Sequence, residues 1–239
     1  MMSTSTRNIN TSFDEVRDYL QIGISVDCVI FGFNNDELKV LLIASDQKAF
    51  KGVPALPGDY VRPEEELDAA AYRVLHERAG LDNVYMEQVQ TFGAIHRHPA
   101  GRVITVAYYS LVNIERVELK MQHNELHWHS IKDLPDLAFD HREILKTCYE
   151  RLRHQVQVQP VGFNLLPQKF SLRELQNLYE AILDRTLDRR NFRKKFLSMD
   201  LLVDLNEEEE DVPHRPARLY KFNFDKYEQR KKRYLGIGF

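Results

Sequence analysis

One stretch decides the fold: it opens with Leu56-Pro57-Gly58-Asp59-Tyr60-Val61 and closes with Arg73-Val74-Leu75-His76-Glu77-Arg78-Ala79-Gly80-Leu81. The adjacent proline and glycine of its first half predict a loop. Residues Glu65–Ala79 have helical spacing, with Leu67, Ala71 and Val74 on one face, and Gly80 is a residue that commonly ends a helix. The stretch therefore predicts a polar loop followed by an amphipathic helix.

Runs typical of strands lie on both sides of this loop and helix. Two precede it, joined by the hairpin-type turn Asn34-Asn35-Asp36, and three follow it. The five predicted strands are Ile22–Phe33, Leu38–Ile43, Val84–Ala94, Val103–Val112 and Glu125–His129. A second helix is predicted at Asp140–Arg153, where Asp140 as N-cap and Glu143 form a capping box. This order predicts an α+β fold or a mixed sandwich.

A break in the pattern predicts a second domain. Residues Gln155–Gln168 contain Pro160, Gly162 and Pro167. We therefore expect an N-terminal segment 1–21, a first domain 22–155, a partly ordered linker 156–168 and a second domain 169–239. In the second domain, a capping box at Ser171-Leu172-Arg173-Glu174 opens one helix, and Asp188 caps another, Arg189–Met199. Two strand-like runs follow, Leu201–Leu205 and Arg218–Phe222, and this order predicts a winged helix.

The second helix of that domain is strongly basic. Phe192, Phe196 and Met199 share one face of a helical wheel, which predicts a stripe packed on the core. Arg190, Arg193 and Lys194 lie opposite, where they would read bases or grip phosphates. Arg189 and Lys195, which flank the stripe, would reach phosphates, and Arg215 and Arg218 at the tip of the wing would contact phosphates or the minor groove. The alternative is a solvated helix face, and the acidic run Glu207–Asp211 argues against DNA at the wing.

Composition bounds the class of protein. The 239 residues are 43% apolar and 29% charged, which is ordinary for a soluble globular chain. No apolar run approaches the roughly 20 residues of a membrane span, and Met1–Asn10 lacks the apolar core of a signal peptide. Cys28 and Cys148, the only cysteines, lack metal-ligand spacing, so we expect a reduced, cytoplasmic protein without membrane contact. Residues 1–167 carry a net charge of -6 and residues 168–239 one of +3, which favours a polyanionic partner for the second domain.

The loop and helix of the opening stretch resemble the Nudix box in an incomplete form. Glu65, Arg73 and Gly80 match the box, whereas Asp59 occupies the position of its glycine. Of the three carboxylates that the family uses around its metals only Glu77 is present, because Val74 and Arg78 replace the others. One carboxylate is too few for Mg²⁺, and Arg78 would repel a divalent ion 4 Å away by about 8 kcal/mol at an effective dielectric of 20. We therefore expect no catalytic residues, no metal, no cofactor and no hydrolase activity, with Glu65 and Arg73 paired structurally.

The whole chain resembles the NrtR family of Nudix-related transcriptional regulators, and most of all its Bacteroidetes branch that includes the arabinose regulator AraR. The resemblance rests on short stretches spread over the chain: Phe92-Gly93-Ala94-Ile95, Phe139-Asp140-His141, Pro160-Val161-Gly162-Phe163-Asn164-Leu165-Leu166-Pro167 and Arg190-Asn191-Phe192-Arg193-Lys194. It implies a Nudix α/β/α sandwich followed by a C-terminal winged helix-turn-helix. It also implies a homodimer, a double-stranded DNA operator and a small effector, which is ADP-ribose in NrtR members and L-arabinose in the AraR branch.

The effector site is assigned to five residues: Asp59, Glu77, His96, Arg97 and Tyr108. Family members often carry Arg-Asp-Pro where this chain has Arg97-His98-Pro99, so a histidine replaces the acid. That change would alter the ligand or make its binding respond to pH, unless the histidines are only exposed loop residues. Asp59 suits sugar hydroxyls or, equally, an Asx-turn. Two other functions stay open: an active Nudix hydrolase with an accessory domain, and a ligand-binding module that acts through protein contacts.

Overall fold

The computed structural model describes residues 21–34, 37–117, 119, 126–159, 161–210 and 215–230. Residues 1–20 of the expected N-terminal segment lie outside these residues, as do Asn35 and Asp36 of the predicted turn and Asp211 of the acidic run. Within the part of the chain that is described, no helix combines the length and apolar character required to cross a membrane.

The first domain is built on a seven-stranded sheet. Its strands are β1 Gly23–Asn34, β2 Glu37–Ala44, β3 Pro54–Ala55, β4 Gly58–Tyr60, β5 Tyr85–Phe92, β6 Val103–Asn113 and β7 Leu126–Ser130. The main order is β3-β2-β1-β6-β5, with β4 beside β1 and β7 beside β2. The long pair β1–β6 is parallel, and the other pairs are antiparallel.

Two helices cover the two faces of this sheet. Helix α1, Leu67–Ala79, buries Ala71, Val74 and Leu75 against the even-numbered residues of β1, such as Cys28. Gly80 ends it with a φ of 69°, as its sequence position predicted. Helix α2, His141–Val158, packs Ile144, Leu145, Cys148 and Leu152 on the other face. The predicted α/β/α sandwich is confirmed.

Helix α2 departs from the sequence prediction at both ends. It extends to Val158, five residues beyond the predicted end at Arg153. At its start, Asp140 occupies the N-cap position, but its side chain makes no capping hydrogen bond. The predicted capping box is wrong because the Asp140 carboxylate accepts two hydrogen bonds from Arg97 instead. Charge-assisted bidentate contacts are stronger than a cap to a backbone amide.

The second domain is a winged helix. It comprises β8 Phe170–Ser171, α3 Leu172–Leu183, α4 Arg189–Ser198, β9 Leu202–Glu208, β10 Arg218–Phe222 and α5 Phe224–Arg230, with strand order β8-β10-β9. The Ser171–Glu174 capping box and the Asp188 cap, which accepts a hydrogen bond from the Asn191 amide, are both present as predicted. Strand β8 and helix α5 were not predicted.

The segment between the domains is packed rather than extended. Phe163, Leu165 and Leu166 are buried. The ring of Phe163 stacks on Phe222 of β10 at 3.8 Å between centroids. Asn113 at the end of β6 donates a hydrogen bond to the Leu165 carbonyl at 3.0 Å. One hydrophobic core therefore continues from the α2 face of the sheet into the winged helix.

Candidate functional site

A cleft opens in the first domain where the ends of several elements meet. Its volume is about 580 Å³ when the solvent space at its open mouth is included. Strands β1, β2 and β4, the end of α1, the β5–β6 loop and the start of α2 all contribute to it. Its charged and aromatic lining consists of Asp27, Asp46, Asp59, Tyr60, Arg78, Arg97, His98, Phe139 and His141.

The floor of the cleft is a buried ionic network. The Arg97 side chain is only 3% exposed, and its Nε and a terminal nitrogen donate to the two Asp140 oxygens at 2.8 and 2.7 Å. The same terminal nitrogen lies 3.4 Å from Asp27 Oδ2. His141 Nδ1 accepts a hydrogen bond from the Leu56 amide at 2.9 Å, which places the ring proton on Nε2, 3.5 Å from Asp27 Oδ1. Four polar side chains from distant segments thus hold one another in place.

The network leaves Asp27 charged and leaves no room beside it. Burial opposes ionisation of Asp27, but His141 and Arg97 outweigh this effect and lower the pKa of the carboxyl below its usual range. Gly58 of β4 lies opposite Asp27 in the sheet. A Cβ at Gly58 would lie 2.2 Å from Asp27 Oδ1 and 2.9 Å from the Val26 carbonyl. Only glycine therefore fits at this position.

An aromatic wall stands beside the network. Phe139, at a φ of 55°, stacks on His98 with centroids 5.1 Å apart, and it also contacts Phe50 and His141. Burial and the charge of Arg97 lower the pKa of His98, so this ring is neutral near pH 7. Planar rings of this kind present a face on which a sugar or a base can stack.

The guanidinium groups of the cleft are already paired. Arg97 binds Asp140 and Asp27, and Arg78 donates to Asp46 at 3.0 Å. Three aspartates line the cleft against these two arginines. The third aspartate, Asp59, is bound by Arg73, so the aspartates and arginines of the lining are all paired.

Arg73 organises the box residues into an ion cluster at the edge of the cleft. It donates to Glu65 at 2.7 and 3.0 Å, to Asp59 at 3.0 Å and to Glu77 at 3.2 Å. The predicted Glu65–Arg73 pair is present, and the hydrogen bonds from Arg73 lower the pKa of Glu65 to about 2. Arg62 also holds Glu77, at 3.1 Å. These residues do not fit a Mg²⁺ ion, because their carboxylates already neutralise arginines.

The helix α4 has the two-sided character that its sequence predicted. Phe192 and Phe196 are 2% exposed and contact each other at 4.5 Å between centroids, and both rings meet Tyr179 of α3 edge-on. Arg189, Arg190, Arg193 and Lys194 are exposed, and Lys195 is half-buried. The aromatic stripe fixes the helix and turns its cations toward solvent.

A concave surface between α4 and the wing carries five arginines. Its basic lining is Arg173, Arg189, Arg193, Arg215 and Arg218. Arg173, at the start of α3, was missed because its neighbours Ser171 and Glu174 marked it only as part of a capping box. Arg218 also pairs with Asp204 at 3.1 Å. On the wing, Lys169 neutralises Glu207. Such a surface suits a polyanion.

Comparisons with known proteins agree with this geometry. Residues 22–148 match the NUDIX domain family, and residues 162–222 match the NrtR DNA-binding winged helix domain. An ADPR responsive transcriptional repressor of Acinetobacter baylyi is 34% identical over 216 residues, which is 88% of this chain and 86% of that protein. The chain belongs to the NrtR family.

This NrtR-family chain is also similar to a protein solved in complex with DNA and to an enzyme. The structure of Shewanella oneidensis NrtR with a 27mer DNA superposes with a TM-score of 0.74 at 29% identity, covering 86% of this chain and 95% of that one. An ADP-ribose pyrophosphatase of Methanocaldococcus jannaschii is 33% identical over 132 residues, which is 54% of this chain and 75% of the enzyme.

The NrtR-family cleft gathers only part of the predicted effector set. Asp59 and Arg97 line it. Glu77 does not line the cleft but is bound by Arg73, which also binds Asp59. His96 is exposed outside the cleft. Tyr108 is buried, and its hydroxyl donates to Asp68 at 2.7 Å on the α1 face of the sheet. Because neither His96 nor Tyr108 lines the cleft, the structure does not unite the five predicted residues.

The lining residues that the predicted effector set omitted include Asp27, Phe139 and His141. Asp27 gave one usable signal, since a lone carboxylate inside an apolar strand must find a partner. The partner's identity could not be read from the strand. Among the described residues, no group of three or more histidines, cysteines or carboxylates is placed to hold a metal.

Proposed function

We propose that this chain is an effector-responsive transcriptional regulator. Its winged helix binds double-stranded operator DNA as part of a homodimer, and a small molecule in the Nudix cleft controls that binding. The observation that carries the proposal is the exposed basic face of α4, held outward by the buried Phe192–Phe196 stripe beside an arginine-lined surface. Two such helices in a dimer would read half-sites about one DNA turn apart.

Removing the outward arginines of α4 tests the DNA-binding role. We expect Arg190→Ala and Arg193→Ala to abolish specific operator retention in a gel shift, because each loses a cation at the centre of the interface. The fold should persist, because both side chains are exposed. Arg142→Ala, at an exposed site of the first domain, is the control and should bind normally. Unchanged affinity in both α4 variants, or no DNA retained by the wild type even at low salt, would refute this function.

We infer that the effector occupies the cleft above Arg97. The Acinetobacter baylyi relative is named as responsive to ADP-ribose, which supports that ligand. The arginines that line the cleft are already paired with aspartates, which favours an uncharged sugar, such as L-arabinose, over a pyrophosphate. We therefore place the sugar first and ADP-ribose second.

Thermal unfolding distinguishes the two effectors. A ligand of the native state raises the melting temperature by mass action. We expect a rise with L-arabinose that Asp59→Asn reduces and that Asp82→Asn, an exposed carboxylate outside the cleft, leaves unchanged. A rise with ADP-ribose alone would assign the second effector, and no rise with any pentose, hexose, ADP-ribose or NAD would contradict a sensing role.

We also propose that the chain is not a hydrolase. Glu77, the one box carboxylate kept, already binds Arg62 and Arg73, and no second acid lies at the positions of Val74 and Arg78. Incubation with ADP-ribose and Mg²⁺ should release no AMP. The alternative is an active pyrophosphatase, which the similarity to the Methanocaldococcus jannaschii enzyme favours. It would be established if the wild type released AMP and Glu77→Gln abolished that release.

A further inference from the structure

Helix α2 joins the cleft to the winged helix by polar contacts at its N-terminus and at Tyr149 and Arg153 further along it. Its first residue, His141, lines the cleft, and the preceding Asp140 is gripped by Arg97. Its 18 residues span about 27 Å at 1.5 Å per residue. Buried Ile144, Cys148 and Leu152 pack one side of it on the sheet. A shift at one end is therefore carried along a stiff element.

The middle and the C-terminal half of α2 contact the last turn of α3. The Tyr149 hydroxyl donates to the Ile182 carbonyl at 2.9 Å, and an Arg153 terminal nitrogen donates to the Leu183 carbonyl at 3.1 Å. These carbonyls belong to the negative end of α3, where a cation is favourable. Lys132, from the loop before α2, pairs with Asp184, the C-cap of α3, at 2.5 Å. We name the contacts of Tyr149 and Arg153 with α3 the clasp.

The clasped turn is tied to the basic helix α4. Gln176 donates to the Leu187 carbonyl at 2.9 Å, and Glu180 accepts from the Leu187 amide at 2.7 Å, so the connection to α4 is tied back onto α3. The Tyr179 ring packs between α3 and α4, against Phe192 and Phe196. A displacement of the α3 C-terminus thus repositions α4 as a unit.

We propose that the clasp transmits occupancy of the cleft to the DNA-binding surface. A ligand that contacts the Arg97 network changes the positions of Asp140 and His141. Helix α2 then shifts along the sheet, and Tyr149 and Arg153 transmit this shift to α3 and α4. This inference rests on the proposed function. Coupling of this kind is the ratio of operator affinities with and without effector, and factors of about 5 to 150 are typical.

The test separates coupling from binding. Operator Kd is measured for the full chain with and without L-arabinose or ADP-ribose, whichever raises the wild-type melting temperature. Tyr149→Phe and Arg153→Gln should keep effector binding and effector-free operator binding, while the effector-induced change in Kd falls to less than about 3-fold. The matched control is Arg151→Gln on the same helix, because Arg151 contacts Glu87 inside the first domain. It should keep the wild-type coupling factor.

Three results would contradict the proposed role of the clasp. These are undiminished coupling in both Tyr149→Phe and Arg153→Gln, equal loss of coupling in Arg151→Gln, or loss of effector-free operator binding in the two clasp variants. The last would show that the clasp merely holds the winged helix in place. Failure of the proposed function has a different signature, because the wild type itself would then bind no operator or no effector.

Discussion

At the scale of single residues, Arg97 shows how context changes the meaning of a side chain. In the sequence it is one charge in a polar loop, where an exposed ion pair contributes little. In the structure its side chain is 3% exposed and satisfies two aspartates. Breaking a buried pair by removing one partner typically costs about 3–5 kcal/mol. Arg97 therefore stabilises the floor of the cleft and is also a candidate ligand contact.

Gly58 supports that network by being small. We expect Gly58→Ala to lower the free energy of unfolding by about 1–3 kcal/mol, the usual cost of overpacking, because its Cβ would displace the Asp27 carboxylate. Effector binding should weaken as well. Urea unfolding measures the first effect. Gly93→Ala is the control, since its Cβ would have no neighbour nearer than 3.8 Å, and an equal loss in both variants would contradict the steric argument.

At the scale of elements, the basic residues that suit α4 to DNA binding also destabilise its first turn. Its first turn contains no acidic residue and begins with Arg189 and Arg190. Cations at a helix N-terminus are unfavourable, since the helix dipole is positive there. The Asp188 cap offsets this by accepting a hydrogen bond from the Asn191 amide at 2.8 Å and by adding a negative charge. The cap is thus more valuable here than in an average helix.

Replacing the cap should expose this dependence. We expect Asp188→Ala to cost about 1 kcal/mol of unfolding free energy, the typical value for a lost N-cap, and to weaken operator binding by fraying the first turn. Asp188→Asn, which retains the acceptor, should cost less. Chemical denaturation and a gel shift measure the two effects. If alanine and asparagine behave alike, the charge rather than the hydrogen bond supports the helix.

At the scale of the whole molecule, the two domains share a core. Phe163, Leu165 and Leu166 lie between the sheet of the first domain and the winged helix, and Asn113 ties this segment to β6. A flexible linker would absorb a movement of the first domain. A packed one passes it on, which agrees with the role proposed for α2.

A shared core predicts shared unfolding. Fluorescence of Trp128, the chain's only tryptophan, reports on the first domain, whereas circular dichroism reports on the helices of both. We expect one coincident transition, which Leu165→Ala moves by about 2–5 kcal/mol in both signals because it opens a cavity in the junction. Leu197→Ala, at a 46% exposed position on α4, should move neither. Two separate transitions would show that the domains unfold independently.

Features that depend on near neighbours along the chain could be predicted from the sequence alone. The α3 capping box joins Ser171 to Glu174, the α4 stripe repeats every four residues, and Gly80 ends α1, so the winged helix and the box helix were predictable. Strand β8 lacked such a local signal, whereas helix α5 has one that the prediction missed, since the Asn223 side chain accepts a hydrogen bond from the Lys226 amide at 2.9 Å. The cleft also depends on distance along the chain, because Arg97 meets Asp140 from 43 residues away and Asp27 from 70. Sheet register and burial bring those charges together, and only the tertiary structure could decide that Asp140 would bind an arginine rather than cap its own helix.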